Sequence, residues 1–137
     1  MKETQIDSLP ETTLGEKLKK VRLKQHLTQK DFCNIIDVDR SYYVDIENDI
    51  NIPSINIINQ ISLKLNMNPF YLYDDYMAFI SNSPGGKIKC IREQKKLTQQ
   101  KLANLLNVSR ETIKCWENNK TILKRINYYN LVQLVEL

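Results

Sequence analysis

Glycine and proline are scarce in this 137-residue chain, at three and four copies. Few sites are left for tight β-turns, while apolar residues recur at three- and four-residue spacing, so an all-α protein is expected. Histidine occurs once, at His26, and cysteine three times, at Cys33, Cys90 and Cys115. An odd number of thiols at unrelated spacings argues against a disulfide framework, and with one histidine they form no metal-ligand pattern. No metal and no other cofactor is therefore expected. The chain lacks an apolar run of about 18 residues and any signal-peptide profile, so no membrane role is expected and the cytoplasm is the expected location. It also lacks a nucleophile–base pair and a phosphate loop, so it does not read as an enzyme.

What is present is charge, unevenly placed. The chain carries 20 Lys+Arg against 16 Asp+Glu, a net of +4. Residues 1–66 hold 9 Lys+Arg against 10 Asp+Glu, while residues 87–137 hold 11 against 4. A short segment that basic suits a polyanionic partner once a binding motif lies inside it.

Met1 to Thr13 is polar with Pro10 and shows no apolar period, so a flexible arm is expected over 1–13. Leu14, Leu18 and Val21 then form one helical stripe. Thr28 suits an N-cap for a second helix, with Asp31 as a capping-box partner, and Phe32, Ile35 and Ile36 as its buried stripe. A third helix begins near Asp39 and buries Tyr43 and Ile46, and Pro53-Ser54 opens a fourth. Phe70, Tyr71, Tyr73, Tyr76 and Phe79 read as a fifth helix closing the first core, or as an interface. The stretch SNSPGG, residues 81–86, reads as a linker. The expected domains are thus 14–80 and 87–137.

A shift of 70 residues lays the second half on the first without a gap. Arg22/Arg92, Leu27/Leu97, Thr28/Thr98, Gln29/Gln99, Val38/Val108, Arg40/Arg110, Glu47/Glu117 and Asn48/Asn118 are identical. The match implies duplication, each half being a folding unit. Within each half the pattern is that of two helices crossing after a tight turn. Cys33 and Ala103 supply the small residue at the crossing. Asp37 and Asn107 stand where positive φ is needed, and the next residue is an apolar valine. Tyr43/Ile46 and Ile113/Trp116 are the buried pairs of the following helix, which leaves Arg110, Glu111 and Lys114 facing outward.

Two stretches, LTQQKLANLLNVSRETIKCWEN over 97–118 and LTQKDFCNIIDVDRSYYVDIEN over 27–48, resemble the Xre/Cro family of lambda repressor-like helix-turn-helix domains. The resemblance implies two such domains in tandem, binding double-stranded DNA through the major groove. It implies that Gln29 and Gln99 meet the DNA backbone at a helix N-terminus, where exposed N–H groups favour phosphate. It places Arg40 and Arg110, then Ser41 and Glu111, at the first base-reading positions, with Asp45 and Cys115 at a later one. It also makes Arg22–Glu47 and Arg92–Glu117 structural ion pairs, outside the site. Arg110 is the leading candidate, because an arginine can bond guanine O6 and N7 together. Thr112, Lys114 and Lys120 complete the DNA-contact set of the second domain.

The first domain reads as the poorer DNA reader. Asp39, Asp45 and Asp49 lie on or beside its third helix, and the loop after it has no basic residue. The second domain ends in an apolar fourth helix, Asn127 to Leu137, which needs cover from the first domain or from another subunit. The expectation is a cytoplasmic, nucleoid-associated transcriptional repressor acting as a homodimer. The alternative is an antitoxin or anti-regulator that holds a protein partner through its acidic first domain.

Overall fold

The computed structural model describes residues 2–136. The described residues form ten α-helices, one 3-10 turn and no strand, in two compact units that meet in sequence at Asp74/Asp75.

The first unit contains α1 (Glu3–Asp7), α2 (Leu14–Lys24), α3 (Gln29–Ile36), α4 (Arg40–Glu47), α5 (Ile55–Lys64) and a 3-10 turn at Pro69–Tyr71. Thr28 caps α3 by accepting from the Asp31 N–H, as expected, although no reciprocal Asp31 bond completes a box. The complete capping box lies one helix earlier, between Thr13 and Glu16. Asp37 ends α3 in the left-handed region at φ 58°, and the next amide, Val38 N–H, returns to the Cys33 carbonyl at 3.1 Å. Gln60 of α5 braces that turn by donating to the Ile36 and Asp37 carbonyls, both at 3.3 Å. Phe32 and Tyr43 meet in the core with ring centroids 5.3 Å apart, and both are fully buried. Burial of side chains this large contributes about 1.5–3 kcal/mol each.

The second unit contains α6 (Asp75–Ile80), α7 (Pro84–Gln94), α8 (Gln99–Leu106), α9 (Arg110–Glu117) and α10 (Arg125–Glu136). Thr98 caps α8, and Asn107 ends it at φ 56° with Val108 N–H returning to the Ala103 carbonyl at 3.0 Å. Leu102, Ala103, Ile113 and Trp116 form the heart of its core with Ile88 and Leu131. The Leu137 end expected for the last helix lies outside the described residues.

Three expectations of the sequence are corrected. The segment expected as a flexible arm holds α1, whose Ile6 is 1% exposed. A single apolar residue gives no period, so only packing reveals it. The segment is also tied down electrostatically: the Lys20 ammonium donates to the carbonyls of Asp7 at 3.1 Å and Leu9 at 3.4 Å and lies 3.5 Å from the Glu11 carboxylate. Tyr71 closes the tie by donating its hydroxyl to Glu11 at 2.7 Å.

Second, the aromatic cluster does not form one helix closing the first core. Pro69–Tyr71 is a 3-10 turn and buried Leu72 is the anchor of this stretch in the first unit. Residues 75–80 belong to the second unit, where Phe79 and Ile80 pack on the core and Phe79 lies 5.1 Å from the Tyr128 ring of α10. Part of the cover that α10 needs thus comes from α6.

Third, the linker expected over 81–86 is half helix. Pro84 occupies the first turn of α7, where its missing N–H is harmless, and Gly85 is buried there. A Cβ on Gly85 would stand 2.5 Å from the Glu117 carbonyl oxygen and 2.6 Å from that of Trp116. Gly85 is therefore the contact between the start of α7 and the end of α9. Gly15 makes the same contact with Glu47 and Ile46 in the first unit.

Candidate nucleic-acid interface

Each unit ties α4 or α9 down with an Arg–Glu ion pair, buried in the first unit and part-buried in the second. In the first, Arg22 Nε and Nη2 donate to the Glu47 carboxylate at 3.1 and 2.7 Å, and Nη1 donates to the Leu27 carbonyl at 2.9 Å. In the second, Arg92 repeats the fork on Glu117 at 2.8 and 3.0 Å and reaches the Leu97 carbonyl at 2.9 Å. The glutamate side chains are both 4% exposed. Burial alone would raise the Glu47 pKa, but the hydrogen bonds and charge of Arg22 outweigh it and hold the carboxyl below its ordinary value. A planar fork bonded twice to a carboxylate fixes both partners. Here it ties the end of α4 to α2 and the end of α9 to α7.

On that frame α9 presents two unlike faces. Ile113 is fully buried and Trp116 nearly so, while Arg110, Glu111 and Lys114 are exposed. Ser109 caps the helix by accepting from the Thr112 N–H at 3.1 Å, and its hydroxyl shares a 2.8 Å hydrogen bond with that of Thr112. The Thr112 hydroxyl is thus engaged in the first turn, unlike Arg110. Among the described residues, no ion pair involves Arg110, Lys114, Lys120 or Lys124. Lys120 is exposed in the loop after α9, and its backbone N–H returns to the Cys115 carbonyl at 2.9 Å.

The equivalent face of α4 is built differently. Asp39 caps the helix, accepting from the Ser41 hydroxyl at 2.6 Å and from the Ser41 and Tyr42 amides at 3.1 and 3.3 Å. These hydrogen bonds, the Ser41 hydroxyl first, keep the exposed Asp39 carboxyl below its usual range. Ser41 therefore uses its only hydroxyl proton inside the protein. Gln29, Asp39, Arg40, Ser41, Val44 and Asp45 surround one open depression, so the structure brings Gln29, Arg40 and Ser41 together. It places two carboxylates among them. Asp49 is not a free surface acid: it accepts from Thr13 Oγ1 at 2.7 Å and from the Gly15 amide at 3.0 Å. The basic face of α2 is partly neutralised too, with Lys20 against Glu11 and Lys24 3.3 Å from Asp7.

Gln29 and Gln99 open α3 and α8, but neither side chain extends straight outward. Each amide nitrogen leans on the carboxylate of its unit's ion pair, at 3.4 Å from Glu47 and 3.5 Å from Glu117. Their second N–H and their oxygen remain for another partner. The thiols take no common site: Cys33 is buried and its pKa is raised by that burial, Cys115 is half-buried and Cys90 exposed. No group of three metal-ligating side chains occurs among the described residues, and no described helix is long and apolar enough to cross a membrane.

Two residues escaped the sequence reading although a signal existed for both. Gly85 and Asn119 repeat Gly15 and Asp49 at the same 70-residue shift that revealed the duplication. Asn119 accepts from the Gly85 amide at 2.9 Å, as Asp49 does from Gly15.

The profile of a family described as the helix-turn-helix domain matches the chain twice, over residues 15–77 and 85–137. No curated protein and no solved structure matches the chain.

Proposed function

Since the chain belongs to the helix-turn-helix domain family, once in each half, we propose that it is a sequence-specific transcriptional repressor of the Xre/Cro type, acting on double-stranded DNA in the cytoplasm. Reading is assigned chiefly to the second unit. The observation that carries this is the exposed Arg110 and Lys114 on α9, outside any ion pair among the described residues, in the half that carries the net positive charge. Arg110 is the base reader, through a bidentate contact worth about 1–3 kcal/mol of discrimination. Glu111 stands beside it as an acceptor for cytosine, and Lys114 reaches base or phosphate one turn on. Gln99 and Lys120 hold phosphates on either side. Thr112 serves the cap of α9 more than the bases. In the first unit Gln29, Arg40 and Ser41 form the matching but weaker set, because the Asp39 and Asp45 carboxylates repel phosphate.

Selecting bound sites from random duplex DNA, with the full chain and its Arg110→Ala variant, tests this reading. The wild type yields one enriched motif, and the variant binds with that motif relaxed at one base pair. An unchanged motif in Arg110→Ala refutes the base-reading role.

A homodimer is part of the proposal. Ile126 and Tyr129 of α10 are 62% and 47% exposed, which leaves apolar surface for a second copy. A strictly monomeric mass by light scattering at micromolar protein removes this element. The acidic setting of α4 favours one other reading, a protein partner for the first unit in the manner of an antitoxin or anti-regulator. A stable co-purifying protein, with no DNA motif enriched, would select it.

A further inference from the structure

The loop between α9 and α10 is anchored at both ends to residues that precede α9. Near its start, the Asn119 side-chain oxygen accepts the Gly85 N–H at 2.9 Å. Near its end, Leu123 is 1% exposed and its carbonyl accepts the Tyr76 hydroxyl at 2.7 Å. Between the anchors Lys120, Thr121 and Ile122 are all exposed. The first anchor is not a generic cap. Ser83, the N-cap residue of α7, makes no side-chain cap bond. One of the N–H groups that a helix start leaves without a partner is thus satisfied from 34 residues away.

The same device occurs in the first unit with different chemistry. Asp49 accepts from Gly15 N–H and from Thr13 Oγ1, and both Asp49 and Asn119 sit at positive φ, 60° and 57°. The bare glycine is required in both places, because a Cβ would run into the last carbonyls of α4 or α9. An acceptor and a left-handed backbone are therefore common to both copies. The charge is not: the copy with basic residues in its following loop carries the neutral amide.

We propose that Asn119 is a positioning residue for DNA binding. By clamping the start of the loop to Gly85 it sets where Lys120 stands relative to the exposed face of α9, so that one phosphate is met at a fixed register from the bases read by Arg110. The amide does this without placing a negative charge beside the phosphate, whereas the first unit carries the Asp49 carboxylate at the matching position. This rests on the DNA-binding reading above.

The test is a double-mutant cycle on the full chain with a fluorescent mixed-sequence duplex, followed as a function of salt. Lys120→Ala alone weakens binding roughly fivefold at low salt and lowers the slope of log K against log salt by about 1. Asn119→Gly keeps the left-handed backbone, removes the clamp and produces a similar loss. In the Asn119→Gly background Lys120→Ala then costs almost nothing further. Asn119→Asp restores the acceptor, so the full cost of Lys120→Ala returns even though overall binding is weaker. If the Asn119→Gly and Lys120→Ala losses simply multiply in a chain whose far-ultraviolet circular dichroism shows it folded at the assay temperature, the positioning role is wrong while the DNA reading stands. A wild-type chain that binds no duplex overturns both.

Discussion

Adjacent glycines on one helix are expected to respond to alanine in opposite directions. Gly85 and Gly86 both lie in the first turn of α7. At an ordinary helical site glycine to alanine stabilises by about 0.5–1 kcal/mol, because alanine has less backbone freedom to lose on folding. Gly86 meets that condition, with nothing within 4 Å of the point where an added methyl would stand. Gly85 does not. Its Cβ would lie 2.5, 2.6 and 2.8 Å from the oxygens of Glu117, Trp116 and Asn119. Two of these are backbone carbonyls, which cannot swing away as a long side chain can. The start of α7 must back off from the end of α9, which loosens the Asn119 clamp and the packing around it. Overpacking of this kind costs about 1–3 kcal/mol. The clash exceeds the propensity gain, leaving Gly85→Ala destabilised by about 1–2 kcal/mol. For a unit of this size the melting temperature shifts by roughly 4–8 °C per kcal/mol. Scanning calorimetry of the full chain should show the second-unit transition falling in Gly85→Ala and rising by a few degrees in Gly86→Ala, with the first-unit transition unmoved. Were Gly85→Ala to raise the transition as Gly86→Ala does, the close approach of α7 to α9 would be refuted.

The remaining expectations concern the ion pairs, the turn and acid stability. Glu117→Gln takes the carboxylate from the part-buried Arg92 fork and should destabilise the second unit by about 1.5–3 kcal/mol, whereas replacing both partners with apolar residues is milder; chemical denaturation measures both. Asn107→Ala, at φ 56°, should cost about 1–2 kcal/mol while Asn107→Gly is nearly neutral, and equal losses would argue against the left-handed turn. Glu47 has a folded pKa below the ordinary 4.5, so its stabilisation is complete above that value and is lost as pH falls through the lower, folded one. A urea midpoint followed downward from about pH 5 should fall less steeply in Glu47→Gln than in the wild type.

Much of the fold was legible because its signals are local. A capping threonine, a small residue at the crossing, an Asp or Asn at positive φ and an apolar pair on the next helix recur at constant offsets, and each is a property of a few neighbouring residues. The Arg–Glu pairs were legible only through the family resemblance, since 25 residues separate the partners. The cationic face of α9 was readable from helical period alone. The inward lean of Gln29 and Gln99 and the engagement of Ser41 by Asp39 were not, because they depend on which hydrogen-bonding groups are close in space.

By itself the amino-acid sequence determined that this is a duplicated helix-turn-helix chain whose net positive charge lies in the second copy. Helical period, capping chemistry and charge count are all written along the chain. The tertiary structure alone decided that residues 2–13 pack rather than wander, that 75–80 cover the second core, and that Gly85 is a contact rather than part of a linker. Each of those outcomes turns on a single apolar residue, a ring or an absent methyl group meeting a surface distant in sequence. Such encounters leave no periodicity to read, because their energy exists only once the two surfaces touch.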